Sequence, residues 1–239
     1  MAVSNKIYQY SVISALAQGL CSGGLPAAHV LSKGDHGIGT LADLDGELVI
    51  VDSQAYKFTS AGDAQPLDSS ETVPFVMTTY FKPAKTVGFS TLTHETLLKE
   101  LLDLYKFSKN SFVAVRVEGF FPQLTYRVAG PQARPREPLG DVVQRQRVDS
   151  LQDQRGCIFG FWSPEFTSAV TVAGLHLHFI SLDKSKGGHL LGFKAINASL
   201  SAAVVNNFHL ELPQTEEFES ENIRQPDQMM MRHAEGMGA

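Results

Sequence analysis

The sequence predicts an α+β protein of mixed and antiparallel sheets with few helices, in two lobes of similar size. Three observations carry that expectation. Short apolar segments recur at strand length, bounded by turn residues. The segment from Thr93 to Tyr105 is the clearest to keep a helical period. The connections between strand-like segments are too short for a regular series of parallel strands joined by helices. At 239 residues, 43% hydrophobic and 19% charged, the chain can bury a core and is not a disordered polymer. The expected division is an N-terminal lobe over 1–128, a connecting segment over 129–156 that holds Pro131, Pro135 and Pro138, and a C-terminal lobe over 157–239.

The elements follow in order. Ile7 to Leu20 places apolar residues at helical spacing, and Gly23-Gly24 stops it. An amphipathic helix is expected there in preference to a signal peptide. Only Lys6 supplies a basic flank, and Gln9, Ser11 and Gln18 interrupt the apolar run. A short helix is expected around Val30-Leu31, then a glycine-rich turn at Gly34, Gly37 and Gly39. Gly46 to Val51 and Ala55 to Phe58 form two strands around Asp52-Ser53, and Gly62 to Thr72 is polar loop. Pro74 to Phe81 and Thr86 to Phe89 are extended, and Thr93 caps the helix through Tyr105. Phe112 to Val117 and Leu124 to Val128 form a hairpin, and a short helix covers Asp141 to Arg145. Cys157 to Trp162, Ser168 to Leu182, His189 to Ala198 and Val204 to Leu212 are strand-like. From Pro213 the composition turns polar and acidic before Met229 to Met231, which by composition alone is a flexible tail.

Bulk charge narrows the partners. A net charge of −5 argues against a nucleic-acid partner, whose phosphates require a basic face. No stretch approaches the ~18–20 apolar residues of a membrane-spanning helix. The two cysteines, Cys21 and Cys157, make no disulfide framework, so a soluble, cytoplasmic protein is expected.

The strongest chemical signal is Gly174-Leu175-His176-Leu177-His178-Phe179, followed by Gly187-Gly188-His189. Residues two apart on a strand share a face, so His176 and His178 project together. A turn over Asp183 to Gly188 would bring His189 back beside His178. Three neutral imidazoles leave coordination positions open, which is the catalytic arrangement of a metal site. Zinc is favoured, because no nearby carboxylate completes a two-histidine, one-carboxylate iron triad. Glu47, at the head of an apolar strand, is either a candidate acid–base group or a solvated strand edge. Arg127 and Arg116 are either clamps for a substrate carboxylate or surface groups. His29, His36, His94, His209 and His233 have no comparable partners, and structural or exposed roles are expected for them.

Across nearly its whole length the sequence resembles the bacterial alpha-acetolactate decarboxylase family. The resemblance is carried by Ile7 to Ser11, Gly34-Asp35-His36-Gly37-Ile38-Gly39-Thr40, Leu44-Asp45-Gly46-Glu47 and Pro74-Phe75. The Arg116 to Arg127 stretch, Gly160-Phe161-Trp162-Ser163-Pro164 and the histidine spacing also fit. It implies conversion of 2-acetolactate to acetoin and carbon dioxide, zinc held by His176, His178 and His189, and a homodimer. It further implies active-site roles for Glu47, Arg127 and Glu235, the last on a C-terminal segment returning to the metal. Two positions depart from the family pattern: His36, where an aromatic residue is common, and Asp52-Ser53-Gln54, where a glycine-bearing turn is usual. Two other classes share part of the histidine pattern. One is the PPC-like binding module, usually shorter; the other is a cupin-type metal enzyme, usually with a glutamate soon after His-x-His.

Overall fold

Two sheets face each other across one core in the computed structural model, which describes residues 5–227. The chain opens with β1 (Lys6–Tyr10) and α1 (Ile13–Ala17), then β2 (Leu25–Pro26), α2 (Ala27–Leu31) and β3 (His36–Thr40). Next come β4 (Glu47–Val51), β5 (Gln54–Phe58), β6 (Ala64–Pro66), β7 (Thr72–Val73) and β8 (Phe75–Thr79). β9 (Lys85–Thr93) leads into α3 (His94–Tyr105), followed by β10 (Phe112–Val128) and α4 (Leu139–Val142). The chain ends through β11 (Arg147–Ser163), β12 (Gly174–Ser181), β13 (Gly187–Val205), β14 (Asn207–Glu211) and α5 (Glu216–Ser220).

The first sheet has the order β14-β1-β8-β3-β4-β5-β6, and the second β10-β11-β12-β13-β9. β10 also pairs with β13, which closes β10 to β13 into a small barrel. β1 and β14 pair in parallel and the other pairings are antiparallel, as the mixed α+β expectation requires. Ile7, Ile38, Val49 and Met77 from the first sheet pack with Val115, Phe159, Phe179 and Leu200 from the second. Removing such fully buried side chains from water contributes roughly 1.5–3 kcal/mol each. The strands change sheet at 79–85 and 205–207, because β9 and β10 hydrogen-bond into the same sheet as β11 to β13.

Several local expectations are corrected. Ile7 to Leu20 is a strand and a short helix, separated by Ser11 at φ 66°. Ile7, Tyr8, Gln9 and Tyr10 are all buried, so neither a two-residue nor a helical period shows in their apolarity. The glycine-rich turn is strand β3. A Cβ at Gly39 would sit 2.3 Å from the carbonyl oxygen of Phe75, so glycine here permits close strand approach instead of a turn. The expected hairpin over 112–128 is one continuous strand. Register shifts between Glu118 and Phe120, and between Phe120 and Gln123, absorb Pro122 without ending the pairing. The first half of β11, taken as connection, pairs with β10 from Arg147 opposite Val128 to Gly156 opposite Gly119. Strand β12 begins only at Gly174, and residues 216–220 are helical. The helix α3 matches expectation, with Thr93 accepting from the Thr96 backbone N–H in a capping box.

The two departures from the family pattern meet at one side chain. Arg116 donates to both carboxylate oxygens of Asp52, at 2.7 and 3.1 Å, and to Glu118 at 2.8 Å. Its Nη1 also lies 2.6 Å from Nε2 of buried His36. A guanidinium only donates, so Nε2 accepts and Nδ1–H donates to Asp35 at 2.8 Å. Arg116 thus ties the turn after β4 and the start of β3 to β10; His36 takes the structural one of the two roles expected for it, and Arg116 is largely buried instead of at the surface. Replacing Arg116→Ala is expected to lower stability by about 1–2 kcal/mol, against about 0.5 for Asp52→Asn, whose side chain is largely exposed. Denaturant midpoints of the two variants check this; an unchanged Arg116→Ala midpoint would show that the tie contributes nothing.

Candidate metal centre and active site

Strand alternation puts His176 and His178 on one face of β12, while Leu177 and Phe179 enter the core on the other. The chain then reverses through a turn built by Asp183. Its carboxylate accepts from the Ser181 hydroxyl at 2.6 Å and from the Ser185 backbone N–H at 3.1 Å. Lys184 takes a left-handed φ of 64°. This sets His189 directly opposite His178. Gly188, at φ 152°, follows for a second reason: a Cβ there would lie 2.4 Å from the Arg127 carbonyl oxygen. The close approach registers β13 against β10 so that His189 faces Arg127. Arg127, His189 and His178 therefore form one cross-strand row with their side chains on a shared face.

The three histidines are buried, and their potential ligand atoms all lie within 4.8 Å of one another. Nδ1 of His178 donates to the Leu48 carbonyl at 2.9 Å, which leaves Nε2 as the lone-pair nitrogen. Burial pushes the His178 pKa down to about 3, with the Arg127 charge acting in the same direction. Burial, His178 and Arg127 hold His176 well below the usual range. These influences keep His176 and His178 neutral, the form that ligates a metal. The donor set fits a zinc ion with an open position for a further ligand.

Glu47 opens β4 and points into the same cleft. Its Oε1 accepts from Arg127 Nη1 at 3.0 Å and from the Ala129 backbone N–H at 3.3 Å. Its Oε2 lies 3.6 Å from Nε2 of His178. Both partners of this ion pair are about 95% buried, at 5% and 6% side-chain exposure, so neither the strand-edge nor the surface alternative describes them. Thr40, which sequence reasoning passed over, also lines the cleft and donates to the Gly46 carbonyl at 2.8 Å. It faces Glu47 across the β3–β4 pairing, a relation visible only once Gly37 to Thr40 is read as strand. Ile13, Leu16, Phe75 and Leu139 make apolar walls. Glu235 lies outside the described residues, as do Met229 to Met231. The segment leading toward them is docked. Glu217 accepts from the Ser22 hydroxyl at 2.8 Å, and the Arg224 N–H donates to Gln18 at 2.7 Å, at the end of the helix that supplies Ile13 and Leu16.

A sequence model of the alpha-acetolactate decarboxylase family matches residues 7–225. An alpha-acetolactate decarboxylase of Brevibacillus brevis is 33% identical over 234 residues, covering 98% of this chain and 82% of that protein. One of Methanosarcina mazei is 34% identical over 222 residues, covering 93% and 77%. The crystal structure of the alpha-acetolactate decarboxylase of Bacillus subtilis strain 168 superposes with a TM-score of 0.92 at 31% identity, covering 98% of this chain and 100% of that one. A Staphylococcus aureus protein of unknown function, described as similar to alpha-acetolactate decarboxylase, gives 0.92 at 30% identity, covering 96% and 99%. Sequence and fold thus agree over the same span that carries the buried histidines, Glu47 and Arg127, and the chain belongs to the alpha-acetolactate decarboxylase family of carboxy-lyases.

Proposed function

We propose that the protein converts 2-acetolactate to acetoin and carbon dioxide, with zinc held by His176, His178 and His189. The observation that carries the reading is the buried Arg127–Glu47 pair set against three buried, clustered imidazoles. Zinc at that position would supply a Lewis acid for the negative charge that develops on the former ketone oxygen as the carboxylate leaves. The chain's own groups do the rest. Arg127 binds and orients the substrate carboxylate, for which a guanidinium has matching donors. Glu47 and Glu235 are the proton-handling groups: a proton held off the substrate hydroxyl during the step returns to that oxygen, and another is delivered to the carbon whose bond to the carboxylate has broken, so acetoin forms with net uptake of one proton. The apolar walls exclude water and strengthen each of these polar contacts. Whole-chain similarity to decarboxylases sets aside the PPC-like and cupin-type alternatives. A homodimer follows from the family resemblance, and a cytoplasmic location accords with two buried free cysteines. Acetoin release from racemic 2-acetolactate, measured beside the zinc content of the same preparation, tests the proposal. Metal-loaded protein that releases no acetoin would overturn it.

The C-terminal segment has its own expected outcome. Ending the chain after Arg232 leaves folding and zinc content intact and removes most of the decarboxylase activity. Glu235→Gln reproduces most of that loss. Full-rate acetoin production by the shortened chain would remove Glu235 from the reaction.

A further inference from the structure

On the outer face of the seven-stranded sheet, away from the histidines, lies a second cavity of about 420 Å³. Its walls hold three lysines, Lys6, Lys33 and Lys82, and no acidic residue. Among the described residues, no carboxylate lies within ion-pairing distance of any of the three ammonium groups. This is a local inversion of sign on a chain whose net charge is −5. A general excess of surface lysine does not produce it.

The aromatic walls are held in place. Tyr8 is 3% exposed and donates its hydroxyl to Glu211 at 2.7 Å. His209 stacks on its ring with centroids 5.5 Å apart and planes 15° apart, and the Lys33 ammonium sits 5.3 Å from the ring centroid. Tyr80 is half-exposed and donates its hydroxyl to the Ser32 carbonyl at 3.0 Å, which fixes its ring at the rim. The neighbouring Asp35 is turned away, its carboxylate engaged by His36 Nδ1 and the Phe81 N–H. Glu211 sits behind Tyr8 and binds its hydroxyl, outside the cavity lining.

Three lysines around one cavity match a ligand with several oxygens and more than one negative charge, and lysine acts as a point-charge partner for phosphate. A flat ring can stack on the exposed Tyr80 or His209 faces beside that charge. From this arrangement we infer a second binding site, separate from the metal centre, for a small phosphate-bearing anion. The phosphoryl group is the shared chemistry; its source is either free phosphate or a nucleotide whose base adds stacking.

Calorimetric titration of the zinc-loaded protein with inorganic phosphate and, separately, AMP tests the inference. One saturable site is expected, weakened roughly 10-fold or more by the Lys33→Gln, Lys82→Gln double variant and by raised salt. Tighter binding of AMP names a nucleotide as the source, and equal binding names phosphate. Arg127→Lys should leave the titration unchanged, and the double lysine variant should keep its decarboxylase rate. Absence of saturable binding overturns the inference. So does binding that persists in the lysine variant, or binding lost with Arg127→Lys, which would place the anion in the metal cleft.

Discussion

The combined variant His176→Ala, His178→Ala, His189→Ala is expected to fold and to carry no stoichiometric zinc, with acetoin production lost along with the metal. The three imidazoles approach from two antiparallel strands whose register is set by backbone pairing, the Asp183 turn and Gly188, none of which needs the histidine side chains. The sheet therefore persists without them, although the removed rings leave space and the Leu48 carbonyl loses its donor. The cavity left by the rings costs roughly 2–5 kcal/mol. Far-ultraviolet circular dichroism reads the fold, and metal analysis of the folded fraction reads the site. A second comparison separates loss of metal from loss of packing. A metal that binds only the native state stabilises it by mass action, so a chelator should lower the melting temperature of the unaltered protein. The same treatment should leave the variant's melting temperature unmoved. Stoichiometric zinc retained by the variant would mean that other residues hold it.

How much of this was legible follows from which forces are local. The His-x-His pair and the returning third histidine could be read because strand alternation and a short turn are properties of neighbouring residues. The fate of Glu47 could not be read from its surroundings. Its burial depends on Arg127 and Ala129, about 80 residues away, and a lone glutamate at a strand head looks the same whether solvated or paired. β1 was hidden because it is buried on both faces, which erases the two-residue alternation. The outer half of β11 was hidden for the opposite reason: residues 148–156 are polar and mostly half-exposed or exposed, held by backbone pairing to β10 that composition does not report. Pro122 and Gly119 looked like a hairpin turn because bulges that absorb such residues leave no separate mark in sequence. The family resemblance identified Glu47 and Arg127 where local pattern left alternatives open. It did not reveal that His36 and Asp52, its two departures, converge on Arg116.

Glu47→Gln and Arg127→Lys are each expected to keep zinc and lose roughly 10²-fold or more in turnover, the scale of an acid–base or oriented electrostatic group. Glutamine preserves the size of the side chain and an oxygen for the Arg127 and Ala129 donors, while removing the charge and the proton-accepting capacity of the carboxylate. Lysine preserves the positive charge but not the planar, forked donor that matches a carboxylate. Both changes disturb a pair that is about 95% buried, so both should also destabilise. Leaving one buried charge without its partner costs roughly 3–5 kcal/mol, which sets the upper bound for Glu47→Gln. Arg127→Lys keeps a cation and should cost less. The variants must therefore be compared at a temperature where each is fully folded, with kcat divided by zinc content. On that basis the two separate. If Arg127 holds the substrate carboxylate, its replacement should raise KM as well as lower kcat, whereas Glu47→Gln should act mainly on kcat, because proton transfer belongs to the reaction step and not to binding. Wild-type turnover per zinc in both variants would mean that the buried pair is a strut beneath the metal and that the chemistry belongs to other groups.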